Sequence, residues 1–411
     1  MNSIPTGWTK NRMKYCVTLN PSYSKNLNDS DSISFIPMEC LTNGSICPKT
    51  DVVGRVKTGY TFFADGDIIM AKVTPCFENG NIAIVHNLLN GVGFGTSELY
   101  VFRSKTIDTV YLFYYLQNDQ FKQLCIGTMY GTGGLKRVSL DFIRNYTFYV
   151  PPFAKQQQIA SFLDTKCSLI DSTIEKEREV IEKLKEYRQA VITEAVTKGI
   201  RPGVLMKDSG VEWIGEIPEG WDVFRVKYLL TECEERSLNG TEEPLSMSQK
   251  YGIIKSSDLD IPNPASSYVG GKLVFEEDLV FNKLKAHLGV FSLSKYMGVV
   301  SPDYAVYHGI NDTNAKFLEY LFKTGKCICE FKKYIRGVGA GLSRLYTSDL
   351  FNIKVAIPLC DEQQLIVEFL NSKCSDIDAT IQKRELAIEK LTAYKQSLIY
   401  ECVTGKKEVL A

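Results

Sequence analysis

The sequence predicts an α+β protein made by tandem duplication, in which two globular α/β units are each followed by a long helix. The two helices are expected to pair as an antiparallel coiled coil with pseudo-twofold symmetry. Three observations predict this fold: a gapless internal repeat, a heptad pattern of apolar residues inside that repeat, and matching framework points in the segments before each copy.

The internal repeat is the strongest of these observations. A shift of 207 positions lays residues 151–197 on residues 358–404 without a gap, and roughly half of the paired residues are identical. Proline stands only at the front of each copy, and Glu, Lys, Gln and Arg, which are good helix formers, crowd the outer positions. Each copy is therefore predicted to form one long helix.

Apolar residues recur inside each copy at alternating steps of three and four, which is the a/d seam of a coiled coil. The seam is interrupted at the same two places in both copies, by Glu177 and Arg188 in the first and by Arg384 and Lys395 in the second. The seam positions are Leu163, Cys167, Ile170, Ile174, Ile181, Leu184, Val191 and Ala195, repeated as Leu370, Cys374, Ile377, Ile381, Ile388, Leu391, Leu398 and Cys402.

The segment before the first copy has the pattern of a compact α+β domain. Strands are predicted at residues 66–72, 81–85 and 98–102, separated by glycine-rich turns, and a helix is predicted at about 108–126. The glycine-rich sequence MYGTGGLKR follows, and a strand at 147–150 leads into the long helix.

The segment before the second copy starts in the same way, so the whole chain is predicted to be duplicated. The matching points are Ile-Pro-x-Gly-Trp at 4–8 and 217–221, Lys-Tyr at 14–15 and 227–228, the strand ending at Lys72 and at Lys283, Glu98-Leu-Tyr and Asp303-Tyr-Ala, and Gly-Leu-x-Arg at 134–137 and 341–344. The predicted boundaries are a first globular domain at 1–150, a first helix at 151–199, a connector at 200–216, a second globular domain at 217–357, a second helix at 358–405 and a tail at 406–411.

Composition narrows the class of protein. Lys plus Arg equals Asp plus Glu at 48 each in 411 residues, so only a local basic surface is expected to bind nucleic acid. No apolar run approaches a membrane span, which predicts a soluble, cytoplasmic protein. The cysteines lack C-x-x-C pairs, and His86, His287 and His308 are far apart, so no metal site and no cofactor is predicted.

Enzyme motifs occur only as near misses. Val150-Pro151-Pro152-Phe153 has valine where an amino-methyltransferase needs a polar acceptor, and residues 20–23, Asn-Pro-Ser-Tyr, lack the second proline. Residues 91–95, GVGFG, lead into a strand-like run instead of opening a helix, and residues 337–341, GVGAG, lack a preceding strand. Both glycine runs are interpreted as turns or as close backbone approaches to DNA. The chain is therefore predicted to be non-catalytic.

The order of globular unit, P-P-x-x-x-Q-Q-x-I helix opening, Ile-Pro-x-Gly-Trp connector, second unit and second helix resembles the specificity subunit of type I restriction-modification systems. The resemblance covers essentially the whole chain. It implies that the globular units are target recognition domains, each reading half of a bipartite double-stranded DNA site. It also implies that the helices dock methyltransferase subunits, two in number because the helix is duplicated, and that restriction/translocase subunits join the complex.

Under this resemblance, the residues that bind DNA should be cations near the glycine-rich loops. The candidates are Lys136, Arg137, Lys332, Lys333, Arg336 and Arg344. Because Arg137 and Arg344 repeat in both units, a framework ion pair is an equal alternative for them. Readers of unlike half-sites should differ at their reading positions, so Lys332, Lys333 and Arg336 are favoured as specificity residues.

The helices agree more closely than the globular units do, which favours one docking surface presented twice and two different DNA targets. Phe162, Tyr187, Phe369 and Tyr394 are the predicted partner-binding residues. They lie on outer helix faces that also include Ile159, Ile192, Ile366 and Ile399 and are expected to need cover by a partner. The alternatives are an adaptor that serves only a methyltransferase and a coiled-coil adaptor protein that never touches DNA.

Overall fold

The computed structural model describes residues 5–23, 27–132, 134–249, 251–259, 267–336 and 344–409. The chain forms two compact units, one made of residues up to Arg178 together with residues from Glu385 onward, the other made of Glu179–Arg384. Each unit therefore combines one globular segment with the start of one long helix and the end of the other. No helix in these ranges is long and apolar enough to cross a membrane.

The first unit contains a four-stranded antiparallel sheet in the order β2-β9-β6-β7 and a mixed sheet in the order β4-β3-β8-β5. Its strands are β1 (Thr9–Arg12), β2 (Val17–Leu19), β3 (Ser32–Ile36), β4 (Lys49–Val52), β5 (Thr61–Ala64), β6 (Ile68–Ala71), β7 (Ile82–Ile84), β8 (Val92–Gly95), β9 (Leu99–Ser104) and β10 (Thr147–Val150). Its helices are α1 (Met13–Cys16), α2 (Val53–Val56), α3 (Thr109–Gln117), α4 (Asp119–Ile126), α5 (Leu140–Asn145) and the start of α6 (Phe153–Lys198).

The second unit repeats the four-stranded antiparallel sheet in the order β14-β21-β18-β19. Its strands are β11 (Met206–Asp208), β12 (Glu216–Pro218), β13 (Asp222–Arg225), β14 (Leu230–Glu232), β15 (Leu245–Ser248), β16 (Gly252–Lys255), β17 (Lys272–Val274), β18 (Leu279–Asn282), β19 (Phe291–Leu293), β20 (Gly298–Val300), β21 (Tyr304–Gly309) and β22 (Lys354–Ile357). Its helices are α7 (Ala315–Phe322), α8 (Gly325–Lys333), α9 (Thr347–Leu350) and the start of α10 (Cys360–Val403).

The predicted seam is the surface along which the two long helices pack. In the first unit, Leu163, Cys167 and Ile170 of α6 are buried in one core with Leu398 and Cys402 of α10. The side chains of Lys155 and Asp171 reach the carbonyl oxygen of Val409 and the ammonium of Lys395, respectively. Contact positions thus advance along α6, from Lys155 to Asp171, while their partners retreat from Val409, which follows α10, to Lys395 within it, so the two segments run antiparallel.

One of the two interruptions of the seam is explained by ion pairs. Lys395 Nζ lies 2.6 Å from Asp171 Oδ2 in the first unit, and Arg188 Nε lies 3.0 Å from Asp378 Oδ1 in the second. The shift of 207 converts each pair into the other, since Asp171 corresponds to Asp378 and Arg188 to Lys395. Because the cations are held in one place by carboxylates of the facing helix, these pairs favour one register over its neighbours.

The predicted helix at 108–126 is wrong in one respect, because it is two helices. Asn118 has extended backbone angles, φ −66° and ψ 142°, between α3 and α4. Its side-chain oxygen accepts a hydrogen bond from the Phe121 amide at 2.9 Å, which caps the start of α4. The Asn118 cap therefore starts a new helix at this point, although the stripe of apolar residues continues through both α3 and α4.

The interpretation of residues 91–95 as a turn is also wrong, because β8 is a buried strand. A Cβ added to Gly93 would lie 2.4 Å from the Phe63 ring, and one added to Gly95 would lie 2.8 Å from the Ile36 carbonyl oxygen. The glycines are therefore explained by close packing inside the sheet. Residues 337–341, interpreted in the same way, lie outside the described residues.

The helix-opening motif holds each long helix to its globular segment through one buried glutamine. Gln156 Oε1 accepts a hydrogen bond from the Asp108 amide at 2.7 Å, and its Nε2 donates to the Pro151 carbonyl oxygen at 2.9 Å. Gln363 makes the equivalent bonds in the second unit, to Asn314 and Pro358, each at 2.9 Å. The motif therefore has a structural role in both copies.

Gln156→Ala is expected to lower the free energy of unfolding by about 1–3 kcal/mol for each buried backbone group that it leaves without a partner. Chemical denaturation followed by circular dichroism measures the change. The neighbouring Gln157 is identical in both copies but exposed, so Gln157→Ala should stay within about 0.5 kcal/mol of the wild type. Equal losses in both variants would contradict the structural role of Gln156.

Candidate nucleic-acid interface

The glycine-rich loop of the first unit is tied at its base to the central sheet. The Arg137 amide donates to the Tyr130 carbonyl oxygen at 2.8 Å, and the Tyr130 amide donates back to Arg137 at 3.1 Å. The amide of Val138 donates to the carbonyl oxygen of Lys72, directly after β6, at 2.9 Å. Thr74 extends this attachment into the loop, since its amide donates to the Lys136 carbonyl oxygen at 2.9 Å and its hydroxyl donates to the Gly134 carbonyl oxygen at 2.7 Å.

The second unit has the same arrangement at residues 336–345. Arg336 and Arg344 exchange two backbone hydrogen bonds of 3.0 and 2.8 Å, and the Leu345 amide donates to the Lys283 carbonyl oxygen, directly after β18, at 3.1 Å. Residues 337–343, which connect the two arginines, lie outside the described residues. The bases of the two loops are therefore equivalent, although the sequences between the paired ends differ.

The arginine that ends each loop is held by a carboxylate of the neighbouring strand region. Arg137 makes a bidentate pair with Glu98, with Nε–Oε2 at 2.9 Å and Nη2–Oε1 at 2.8 Å. This guanidinium lowers the pKa of the Glu98 carboxyl. In the second unit, Arg344 Nη2 lies 3.3 Å from Asp303 Oδ1. The framework ion pair that the sequence left open as an alternative is thus present in both units, and DNA contact by Arg137 and Arg344 stays a prediction.

Two further predicted cations of the second loop region, Lys333 and Arg336, form ion pairs with buried acids. Lys333 Nζ lies 2.7 Å from Glu330 Oε2, and this hydrogen bond raises the pKa of Lys333. The Nη2 atom of Arg336 pairs with the carboxylate of the buried Asp349, while 70% of the Arg336 side chain stays exposed. A buried anchor that leaves most of the guanidinium in solvent positions Arg336 to donate hydrogen bonds outward.

Lys136 and Lys332 are exposed, and no ion pair reaches either ammonium within the part of the chain that the structure describes. Exposed aromatic rings accompany these cations, since Tyr130 and Tyr346 lie next to the paired loop ends and are both largely open to solvent. The structure therefore brings the predicted DNA-binding residues to one loop region in each unit, with Lys136 and Arg137 in the first and the other four in the second.

Two lysines at these loop bases were missed by the sequence-based choice of residues. Lys72 follows β6 and Lys283 follows β18, and both are half-buried. Burial, and next the charge of Lys272, lowers the pKa of Lys283. The duplication of the chain contained a signal for these lysines, because both end the same framework strand. A lysine that ends a strand is not, however, distinguished by sequence from an ordinary surface residue.

The four predicted partner-binding residues fall into two pairs. Tyr187 and Tyr394 are equivalent positions of α6 and α10, and they are 56% and 53% exposed. Phe162 and Phe369 are also equivalent, but both are half-buried and pack against the cores of their own units. The tyrosines are therefore the accessible pair.

The expectation that isoleucines of the outer helix faces need cover by a partner is wrong. Each of them is at most 4% exposed and lies inside the core of its own unit. These helix faces are covered by the globular segments of the same chain. The isoleucines are Ile159, Ile192, Ile366 and Ile399.

Within the described ranges, no group of three or more His, Cys, Asp or Glu side chains is arranged to hold a metal ion. The exposed cations of the two loop regions offer hydrogen-bond donation and positive charge. Such groups bind phosphate oxygens and the acceptor edges of bases.

Comparisons with known proteins agree with this chemistry. A family model described as the type I restriction modification DNA specificity domain matches the chain twice, at residues 17–186 and 218–390. The specificity subunit of the type I restriction enzyme EcoEI from Escherichia coli is 34% identical over 270 residues, which cover 64% of this chain and 43% of that subunit. The EcoAI specificity subunit from Escherichia coli is 34% identical over 223 residues, covering 53% of this chain and 36% of that subunit. The matched segments thus span less than half the length of these two relatives.

A solved structure described as showing complex assembly and conformational transition of the type I R-M system contains a similar chain. The two align with a TM-score of 0.75 at 16% identity, covering 99% of this chain and 100% of that chain, which shows a shared fold. The family model matches both halves of the chain, and the fold and the duplicated loop regions agree with that match. This chain therefore belongs to the family of type I restriction modification DNA specificity proteins.

Proposed function

We propose that the chain is the DNA sequence-recognition and scaffold subunit of a type I restriction-modification complex, with target recognition domains at 1–150 and 217–357. The observation that carries the proposal is that both matched halves have the same hydrogen-bonded base at the ends of a glycine-rich sequence, with different cations beside each. Equivalent scaffolds with unlike loops suit the reading of two different half-sites.

The helices would serve as the scaffold. Core packing explains why buried seam residues stay alike in two copies, but exposed residues have no such constraint. Several exposed positions are nevertheless identical in α6 and α10, which favours a partner that contacts both copies. Each unit presents the same exposed set, with Lys166, Lys176, Lys390 and Tyr394 on one unit and Lys373, Lys383, Lys183 and Tyr187 on the other.

The partner in this proposal is the methyltransferase subunit, bound twice, and restriction/translocase subunits would join the same complex. Catalysis and the methyl donor would belong to these partners, and the complex would act in the cytoplasm, where the host DNA lies. A coiled-coil adaptor that never touches DNA is not favoured, because the DNA specificity model matches both globular segments.

The test is to express the chain together with a methyltransferase subunit of the same system and to map methylated adenines in the host genome. A bipartite motif with a fixed gap, absent when this chain is omitted, is the expected result. Co-purification without sequence-dependent methylation would contradict the recognition role, and absence of co-purification would contradict the scaffold role.

A further inference from the structure

We infer that the Lys283 ammonium binds a phosphodiester oxygen of the DNA backbone at the base of the second glycine-rich loop. The inference rests on the proposed function and adds a specific contact to it. It concerns a residue that lies outside the predicted DNA-binding set.

Lys283 is fixed in place by the loop base. It directly follows β18, and its carbonyl oxygen accepts the hydrogen bond from Leu345 at 3.1 Å. The backbone pair of Arg336 and Arg344 lies one residue further along the loop. The Lys283 side chain therefore starts from a backbone that is hydrogen-bonded to the loop base.

The half-buried ammonium of Lys283 has no hydrogen bond or ion pair within the described part of the chain. The carboxylates of Glu232 and Asp303 also act on Lys283 and partly offset the cost of its burial. Each already forms an ion pair with another cation, however, Glu232 with Lys272 and Asp303 with Arg344. Removing an ammonium from water without a compensating partner costs free energy. The lowered pKa of Lys283, caused first by burial and next by Lys272, has the same physical origin. An anion delivered from outside would remove this cost.

The equivalent lysine of the first unit shows what Lys283 lacks. Lys72 Nζ lies 5.4 Å from the centre of the Tyr100 ring, a favourable cation–π distance. In the second unit, the strand register places Ala305 where Tyr100 stands, opposite Phe281 instead of Met70. Lys283 has therefore lost the aromatic face that accompanies Lys72.

A phosphodiester matches the geometry better than a base edge does. An ammonium is a compact point charge, which suits a single phosphate oxygen, whereas base recognition favours a planar fork of donors. Lys283 also lies at the base of the loop, and contacts that position a protein on DNA are mostly made to phosphates.

The experiment measures binding of the full chain, alone or with its methyltransferase, to two unrelated duplexes of about 40 base pairs over a range of KCl concentrations. Lys283→Gln is expected to reduce the slope of log K against log salt by about 1 on both duplexes. Lys283→Arg should keep the slope of the wild type. Lys285→Gln, at an exposed lysine two residues further on, should leave the slope unchanged.

Thermal unfolding separates this role from a structural one. Because Lys283→Gln removes a poorly compensated charge, its melting temperature should equal or exceed that of the wild type.

An unchanged salt slope in folded Lys283→Gln would overturn the inference while leaving DNA binding by the wild type in place. Failure of the wild type to bind either duplex would instead overturn the proposed function, and the inference with it. Stabilisation of the wild type by inorganic phosphate, without any difference in DNA slope, would assign the site to free phosphate and overturn the DNA contact.

Discussion

Tyr187→Ala combined with Tyr394→Ala is expected to weaken the binding of methyltransferase subunits about thirtyfold or more at each of the two surfaces and to leave the fold intact. Both rings are more than half exposed and occupy equivalent positions of the two helices. Exposed tyrosines that become buried at an interface are typical hot spots, each worth about 2 kcal/mol or more, which corresponds to roughly thirtyfold in affinity. Native mass spectrometry of the co-expressed complex measures the number of bound partners.

The duplication makes the single variants informative. Tyr187→Ala alone should reduce the complex from two bound partners to one, because the equivalent surface around Tyr394 is unchanged. Leu386 is a matched control, since it is an exposed apolar residue of α10 whose counterpart in α6 is Glu179. Leu386→Ala should bind two partners. Full occupancy in the double tyrosine variant, or equal loss in Leu386→Ala, would show that the partner docks elsewhere.

Charged replacements at Phe162 and Phe369 are a weaker test of docking. Because the sequence predicts that both residues bind a partner, such changes would be expected to block the partner and to spare the fold. Both rings are half-buried and pack against the cores of their units, so a charge at either site would also be desolvated inside the chain. Loss of partner binding in that variant could therefore result either from a damaged docking surface or from a damaged fold.

The long helices and their seam could be predicted because heptad spacing is a local property of the sequence. The burial of Ile159 and Ile366 could not be predicted, because these residues lie off the seam and are buried by the globular segment of their own unit. A helical pattern identifies an apolar face but not the element that covers it. This is why the same apolar faces were wrongly expected to need a partner.

Predictions inside the globular segments were limited by contacts between residues distant in sequence. The glycines at 93 and 95 are required by the Phe63 ring and the Ile36 backbone, neither of which a local pattern can place beside them. The ion pairs of Arg137 and Arg344 were recognisable as an alternative because both arginines repeat. Their partners, Glu98 and Asp303, also repeat, so the duplication supplied the pairing that spacing alone could not.

Arg336→Lys is expected to lose discrimination at one base pair of the half-site read by the second unit, by about 1–3 kcal/mol. The substitution keeps the positive charge and can keep the ion pair with Asp349, but it removes the planar fork that donates two parallel hydrogen bonds to a guanine edge. The dependence of affinity on salt should therefore stay that of the wild type. Methylome mapping reports the relaxed position, and salt titration on duplex DNA reports the charge.

Lys332→Gln provides the opposite pattern, which makes the pair of variants diagnostic. Lys332, which the sequence favours as a specificity residue, is exposed on α8 without an ion pair among the described residues. A single ammonium suits a phosphate oxygen better than a base edge, so we expect a phosphate contact instead. Its loss should weaken binding to all sequences alike and reduce the salt slope by about 1, with the methylation motif unchanged. If Arg336→Lys instead keeps the wild-type motif, Arg336 does not read a base, and its pair with Asp349 serves the stability of the loop base.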